Sequence, residues 1–480
     1  MRARYHRLSP MDRMLLSIED ARTPTHIGAL LVLEGPPLLD AAGHLRLEEI
    51  RLRLRRRLRR VPVLRKVLYR PGLLRGPPLW VDDATFAVER HILHAEIPAP
   101  GGEAQLLRLV ENLLSKLLDR SKPLWELWFL TGLESGRLAV LAKLHHSIAD
   151  GKAALRIFNA LFDLAPDAAD PEEEPWSPRP PPSHWRLFVD NLAEKGAALA
   201  RAVERLVHPV ALARSAVSAG RTLVRTLRES QGAPRTSLNA PVGVTRRLAV
   251  MRMGLAEARN VAHARGTRIN DVMLTLIAGG SRELLLHRGE PVEGVALIAS
   301  VAVSLRSTTD AGETGNRTGQ LLVPLPLDLP DAEACLEAIA ASTRKMRKKE
   351  LATSSEHIIA CVSMSGLFRL LARRQHTMNL FESDLEGPPV PLFVLGARIL
   401  EVTLANNLGG TVGLSFAILS YAGQLNLSVF ADAERFPDLE VLAAGMETSW
   451  ARLSRRHESG EEGPRPPGGR YPAAALTTPV

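Results

Sequence analysis

Apolar positions along this chain recur in two periods, and the alternation between the two predicts the architecture. Short apolar runs at Ile27–Leu33, Glu126–Thr131 and Leu138–Leu144 have the length of buried strands. Helical spacing separates and follows them. Leu45–Leu68 carries Leu47, Ile50, Leu54, Leu58 and Val61 on one face, Leu106–Leu118 repeats the pattern, and Lys152–Phe162 places Leu155, Phe158 and Phe162 in register. From Arg246 to Leu453 strands and helices alternate again. A helix opens at Thr267–Asp271 and runs through Ala278, with Asn270 or Asp271 as its expected cap. Strands are expected at Leu297–Leu305, Gln320–Leu327, Val412–Ser420 and Gln424–Phe430, and a helix over Pro330–Leu351. Such interleaving predicts an α/β protein.

Breaks in the pattern divide the chain. Pro171 to Pro182 is charged, proline-rich and aperiodic, the composition of a linker. Trp185 to Glu229 returns to helical spacing through Leu187, Leu192, Leu199, Val203, Leu206 and Val210, with a break expected near Pro209. The proline- and glycine-rich end has the composition of a disordered tail. The division is therefore 1–170, a linker at 171–240, 241–455, and a tail at 456–480. A chain of 480 residues suits two cores better than one.

Charge and composition narrow the partners. The net charge of +9 favours anionic ones: nucleic acid, a phospholipid surface or a phosphate-bearing cofactor. Much of it sits in Arg51–Arg60, R-L-R-L-R-R-R-L-R-R, whose apolar stripe reads as a solvated helix face. No nucleic-acid-binding signature accompanies it, so nucleic acid is excluded. Cys335 and Cys361 lack a neighbouring histidine and read as buried thiols. Met1–Leu16 has no sustained apolar core, so no secretory signal is expected. Nowhere does an apolar stretch reach the ~20 residues of a spanning helix. A soluble or peripheral protein is expected.

The chemistry concentrates in His145–Gly151, H-H-S-I-A-D-G, between the apolar run Leu138–Leu144 and the helical pattern after it. Neighbouring strand residues point to opposite faces, so one histidine of the pair can face a given cavity. A neutral imidazole there can take a proton from an alcohol and return it to a leaving group. His146 is assigned that role, and His145, on the other face, is structural or orienting. The competing reading is two hydrogen-bonded histidines at a strand end, with Asp150 capping the next helix. A zinc site is disfavoured, because opposed faces keep both rings from one ion. No G-x-S-x-G elbow, Walker loop or G-x-G-x-x-G is present.

Ordered motifs around this heptad carry a resemblance. Arg22–Gly28, Pro123–Glu126, the heptad, Pro234–Thr236, Asn270–Val272, Ser304–Arg306, Gly315–Arg317 and Leu419–Gly423 together resemble the bacterial wax ester synthase/acyl-CoA:diacylglycerol acyltransferase family, over about Ser9 to Leu453. One segment departs: Asp384-Leu385-Glu386-Gly387-Pro388 stands where the family has Asn-Val-Pro-Gly-Pro. The resemblance implies two chloramphenicol-acetyltransferase-like domains with mixed sheets, joined by the helical linker, with a tunnel between them. It implies that an acyl group passes from acyl-CoA to diacylglycerol or a long-chain alcohol, giving triacylglycerol or wax ester. Acyl-CoA is then a co-substrate, and neither a cofactor nor a metal is expected. It further implies that Asp150 pairs with an arginine, for which Arg306 is the matching position, while Gly151 permits a tight turn. Asn270 and Ser304 are candidate donors to the carbonyl oxygen, and a helix cap is the plainer role for Asn270. Trp125 is expected in the core.

A lipid product suits a peripheral protein on the inner face of the plasma membrane or on lipid inclusions, at the cytoplasmic side. Two rivals remain. One is a condensation-type acyltransferase using the same heptad on carrier-bound groups. The other is a catalytically weak lipid-surface binding protein on the same scaffold, which the altered 384–388 segment favours.

Overall fold

Strong local signals start the chain. In the computed structural model, which describes residues 5–172, 175–207, 232–304, 318–350 and 377–458, Ser9 caps the first helix. Its hydroxyl accepts from the Asp12 N–H and Pro10 occupies the first helical position, where no amide partner is missed. The first half comprises β1 (His6–Arg7), α1 (Pro10–Ile18), β2 (His26–Glu34), α2 (Leu47–Arg57), β3 (Lys66–Tyr69), β4 (Leu79–Asp82), β5 (Ile92–Glu96), α3 (Glu103–Ser115), β6 (Trp125–Thr131), β7 (Arg137–His145) and α4 (Gly151–Leu161). The helix α5 (His184–Val207) follows the linker. The second half comprises β8 (Arg246–Gly254), α6 (Leu255–Ala264), α7 (Ile269–His287), β9 (Ala296–Ser304), β10 (Thr318–Pro326), α8 (Ala332–Glu350), β11 (Leu380–Glu386), β12 (Phe393–Val394), β13 (Ala397–Ala405), β14 (Leu414–Tyr421), β15 (Gln424–Asp432) and α9 (Leu439–Glu458).

Two six-stranded mixed sheets organise these elements, in the orders β12-β13-β2-β7-β6-β5 and β10-β9-β11-β14-β15-β8. A small sheet, β1-β4-β3, lies apart from both. In the second sheet β11 runs parallel to β9 and β14, while every other pairing there is antiparallel. The boundary at 241 in sequence is not a boundary in space. Strands β12 and β13 come from the second half, yet β13 pairs with β2 from Ile399↔Leu33 to Ala405↔Gly28 and extends the first sheet. A core of Leu30, Leu141, Val110, Leu248, Ala405 and Phe430 draws side chains from both sheets and from α3. In the other large core α7 is buried on nearly every side, so it cannot show the one-sided apolar period of a surface helix.

Three local expectations need correction. The basic helix expected to reach Leu68 stops at Arg57. Short 3₁₀ turns at Leu58–Arg60 and Pro62–Arg65 replace it, as Pro62 disfavours helix at the residue before it, and Lys66–Tyr69 is a strand. Its arginines are not simply a solvated face either. Arg57 is fully buried and bonds Asp163 (2.5 Å) and Asp170 (2.6 Å), while Arg53 and Arg55 pair with Asp170 and Glu89. These partners leave less of the run for an anionic ligand. The cap of α7 is Arg268; Asp271 lies inside the first turn and accepts from the Arg268 N–H at 3.0 Å. The final helix extends to Glu458, past the expected start of the tail, and 459–480 lie outside the described residues, as do Pro209 and Cys361.

Candidate active site

The heptad sits where a strand buried from Leu138 onward ends. Strand β7 has Lys143 and His145 on its α3 face, and its alternate residues Ala142 and Leu144 pack toward α4. Lys143 donates to the carbonyls of Leu113 (2.9 Å) and Lys116, and the His26 Nε2–H donates to that of Leu114 (2.7 Å). These bonds satisfy carbonyls at the end of α3 that the helix leaves open. Burial brings the Lys143 amine down to about 8 and holds His26 well below its usual range, with the Lys143 charge adding to the latter. The platform beneath the histidines is thus tied to the end of α3 through Lys143 and His26 Nε2.

His145 is wholly buried and tied into this platform. Its Nδ1 accepts from the Ser147 N–H (3.0 Å) and hydroxyl (2.7 Å), which places the ring proton on Nε2. That Nε2–H donates to Thr25 Oγ1 at 2.9 Å and lies 3.3 Å from Glu19 Oε1. Arg120 binds the other Glu19 oxygen at 2.7 Å. Burial alone would raise the Glu19 carboxyl, but the bonds from His145, Arg120 and Thr25 outweigh it and hold it at about 2. Both His145 nitrogens are therefore occupied inside the protein. Its role here is to hold the turn.

His146 turns the other way. Its backbone N–H bonds the Thr25 carbonyl at 2.9 Å, and its side chain lines a cavity. That cavity is walled by Ile27, Gly28 and Ala29 of β2, by Leu404 and Asn406 at the end of β13, and by Ala154, Leu155 and Phe158 of α4. Ser383 and Leu385 of β11 close it from the second sheet. The wall is apolar apart from His146, Ser383 and Asn406, and it lies where the two halves meet.

Asp150 is buried and caps α4, its Oδ1 accepting from the Ala153 N–H at 2.8 Å. The capping geometry weighed in the sequence is therefore present, and Arg306 lies outside the described residues. Gly151 does not occupy the left-handed region; it is the first helical residue of α4. What it provides is room, because a Cβ there would lie 2.8 Å from Leu385 Cδ1 across the cavity. Trp125 is in the core as expected: its Nε1–H donates to the Leu64 carbonyl at 2.7 Å, and its ring stacks on His91 at 4.5 Å.

Of the two candidate donors, Asn270 alone has a described side chain. Asn270 is buried in the first turn of α7 with Oδ1 unbonded, and it is not among the residues lining the His146 cavity. Ser304 ends β9, and its side chain lies outside what the structure describes. Ser383 and Asn406, which do line the cavity, carry no motif that would single them out, although Ser383 directly precedes the departing 384–388 segment. On the opposite face of β11, Glu382 is buried with neither oxygen bonded, and burial together with the Asp384 charge keeps its carboxyl well above the usual range. Asp384 reaches solvent yet is walled in by protein, which pushes it up to about 6 against the pull of Arg347.

Comparison with known proteins agrees with this architecture. A family profile described as the wax ester synthase/diacylglycerol acyltransferase catalytic domain matches residues 8–273, and one described as the C-terminal domain of the same family matches 314–454. The Mycobacterium tuberculosis protein tgs2, named a probable diacylglycerol O-acyltransferase, is 30% identical over 93% of this chain and 98% of its own length. Its fellow tgs1 is 29% identical over 93% of this chain and 95% of its own length. The structure of a wax ester synthase/diacylglycerol acyltransferase from Marinobacter aquaeolei superposes with a TM-score of 0.69 at 24% identity, covering 94% of this chain and 99% of that one. The starter condensation domain of rhizomide synthetase, solved with C8-CoA, superposes at 0.58 and 15% identity over 95% and 94%, a likeness of fold alone. Both family profiles and the full-length relatives agree: the chain belongs to the wax ester synthase/diacylglycerol acyltransferase family.

Proposed function

We propose that this protein moves a fatty acyl group from acyl-CoA to the hydroxyl of diacylglycerol or a long-chain alcohol, with His146 as the general base. The observation that carries this reading is the division of labour in the histidine pair. His145 is consumed by Ser147, Thr25 and Glu19, while His146 is presented to an apolar cavity at the meeting of the two halves. A neutral His146 takes the acceptor proton as the oxygen attacks the thioester carbonyl. The C–S bond then breaks and the leaving thiolate receives that proton, so no acyl-enzyme is required. The carbonyl oxygen gains charge at the tetrahedral stage and needs donors. Ser383 and Asn406 are the polar neighbours this cavity offers, and they are the candidates in place of Asn270, which does not line it.

The water-insoluble acceptor places the work at a lipid surface, on the inner leaflet of the plasma membrane or on lipid inclusions. Among the described residues no helix is long and apolar enough to cross a membrane, which suits peripheral attachment. The test is thiol release from acyl-CoA by purified protein, with and without diacylglycerol or hexadecanol. Acceptor-dependent release matched by ester formation is expected. Release independent of acceptor, or none with any acceptor, would overturn the proposal.

A further inference from the structure

We propose that the outer face of α5, with the β3–β4 loop beside it, is the surface that settles on an anionic lipid leaflet; this rests on the acyl-transfer reading and adds the place of contact. Helix α5 is amphipathic with an apolar stripe on the water side. Its inner face is fixed by Leu187, 0% exposed, and Asn191, 7% exposed. On the opposite face stand Trp185, Val189, Leu192 and Leu199, exposed by 73, 42, 60 and 66%. At ~100° per residue these positions fall within an arc of ~80°, so they form one stripe. Single exposed leucines are ordinary, but a continuous row along several turns marks a contact surface.

A second element extends the patch. Leu73 and Leu74, at the tip of the β3–β4 loop, are 88 and 61% exposed. Leu74 holds φ at 64°, a region in which glycine or asparagine is the low-energy choice, and it is an exposed leucine nonetheless. The Asn191 amide donates to the Leu74 carbonyl at 2.7 Å, so loop and helix are fastened together next to Leu192.

Charge selects the partner. Two acids of α5 are paired with the N-terminal segment rather than set in the stripe: Asp190 accepts from the Tyr5 hydroxyl at 2.6 Å, and Glu194 lies 3.4 Å from Arg7. Exposed Arg186 and Lys195 flank the stripe, and Arg70 and Arg75 bracket the leucines of the loop. Tryptophan and leucine on one face with cations at its margins is the composition of helices that lie in a bilayer interface. The cations complement anionic headgroups, and the net charge of +9 draws the whole molecule the same way.

The experiment uses full-length protein and vesicles of phosphatidylcholine and phosphatidylglycerol carrying diacylglycerol. The triple variant Trp185→Ser/Leu192→Ser/Leu199→Ser and the double variant Leu73→Ser/Leu74→Ser should each bind vesicles at least ~10-fold more weakly, with unchanged Tm. Activity on a water-soluble short-chain alcohol should persist, while acylation of vesicle diacylglycerol falls. Brominated lipids should quench wild-type fluorescence, and Trp185→Phe should remove most of that quenching. Vesicle binding equal to wild type in both variants, or quenching unaffected by Trp185→Phe, would overturn the proposal. So would a wild-type dimer that the triple variant dissociates, because the stripe would then be a contact between two copies. If vesicle binding is lost in the variants but no acceptor is acylated even by wild type, the docking face stands and the acyl-transfer reading falls.

Discussion

Replacing Glu19 by glutamine tests whether the heptad is held from beneath. In the wild type the carboxyl is 1% exposed, accepts from Arg120 at 2.7 Å and lies 3.3 Å from His145 Nε2. Glutamine keeps one acceptor oxygen but turns an N–H₂ toward a side that already carries donors. The magnitude follows from linkage: a carboxyl moved from 4.5 to about 2 on folding carries ~3 kcal/mol. Because the folded value lies below the unfolded one, that stability is fully present above about pH 4.5 and is lost as pH falls toward 2. Glu19→Gln should therefore lower the Tm by several degrees at pH 7. The gap to wild type should close as both are taken from pH 4.5 downward. Thermal unfolding followed by near-ultraviolet circular dichroism at several pH values reads both effects. A variant as stable as wild type at pH 7, or a gap that does not vary with acid, would refute the network.

Other perturbations separate shape from charge. Gly151→Ala places a Cβ 2.8 Å from the end of Leu385, a movable side chain that also lines the cavity. Thermal melts should show at most ~1–3 kcal/mol of loss, while rates across an acyl-chain series should shift toward shorter chains; an unchanged chain profile would count against the cavity as the acyl site. Asp384→Asn removes a carboxyl that folding raises from 3.8 to about 6, so the wild-type protein is increasingly penalised as pH rises through that window and fully so above it. The variant should melt higher than wild type at pH 7.5 and nearly level with it at pH 4, and melting equally at both would sink the assignment.

How much of this was legible beforehand depended on the range of the interaction. The strand–turn–helix around the heptad was readable because β7, the turn and α4 follow one another, and the apolar period changes from strand to helix across them. Asp150 capped where a local signal said a cap could be. Long-range partnerships left no such trace. Glu19 and Arg120 lie more than 100 positions from each other, and each is an ordinary surface-type residue until the fold brings them to His145. Strand β13 alternates like any half-buried strand, and nothing local states that it pairs with β2 rather than with the sheet of its own half. Asn406 became a cavity residue through that exchange of strands, and Ser383 and Leu385 through the packing of β11 of the second sheet against the first. Gly151 illustrates the limit from the other side: its place in the motif was plain, but the reason for it, clearance for Leu385, required a neighbour from the other half.

The most direct test of the account is the rate of CoA release by His146→Ala, with saturating acceptor and acyl-CoA, beside the same variant's melting curve. A fall of ~10²–10⁴-fold in kcat with a Tm close to wild type is expected, because the His146 side chain lines the cavity. Acceptor-dependent release at near wild-type rate in that variant would contradict it.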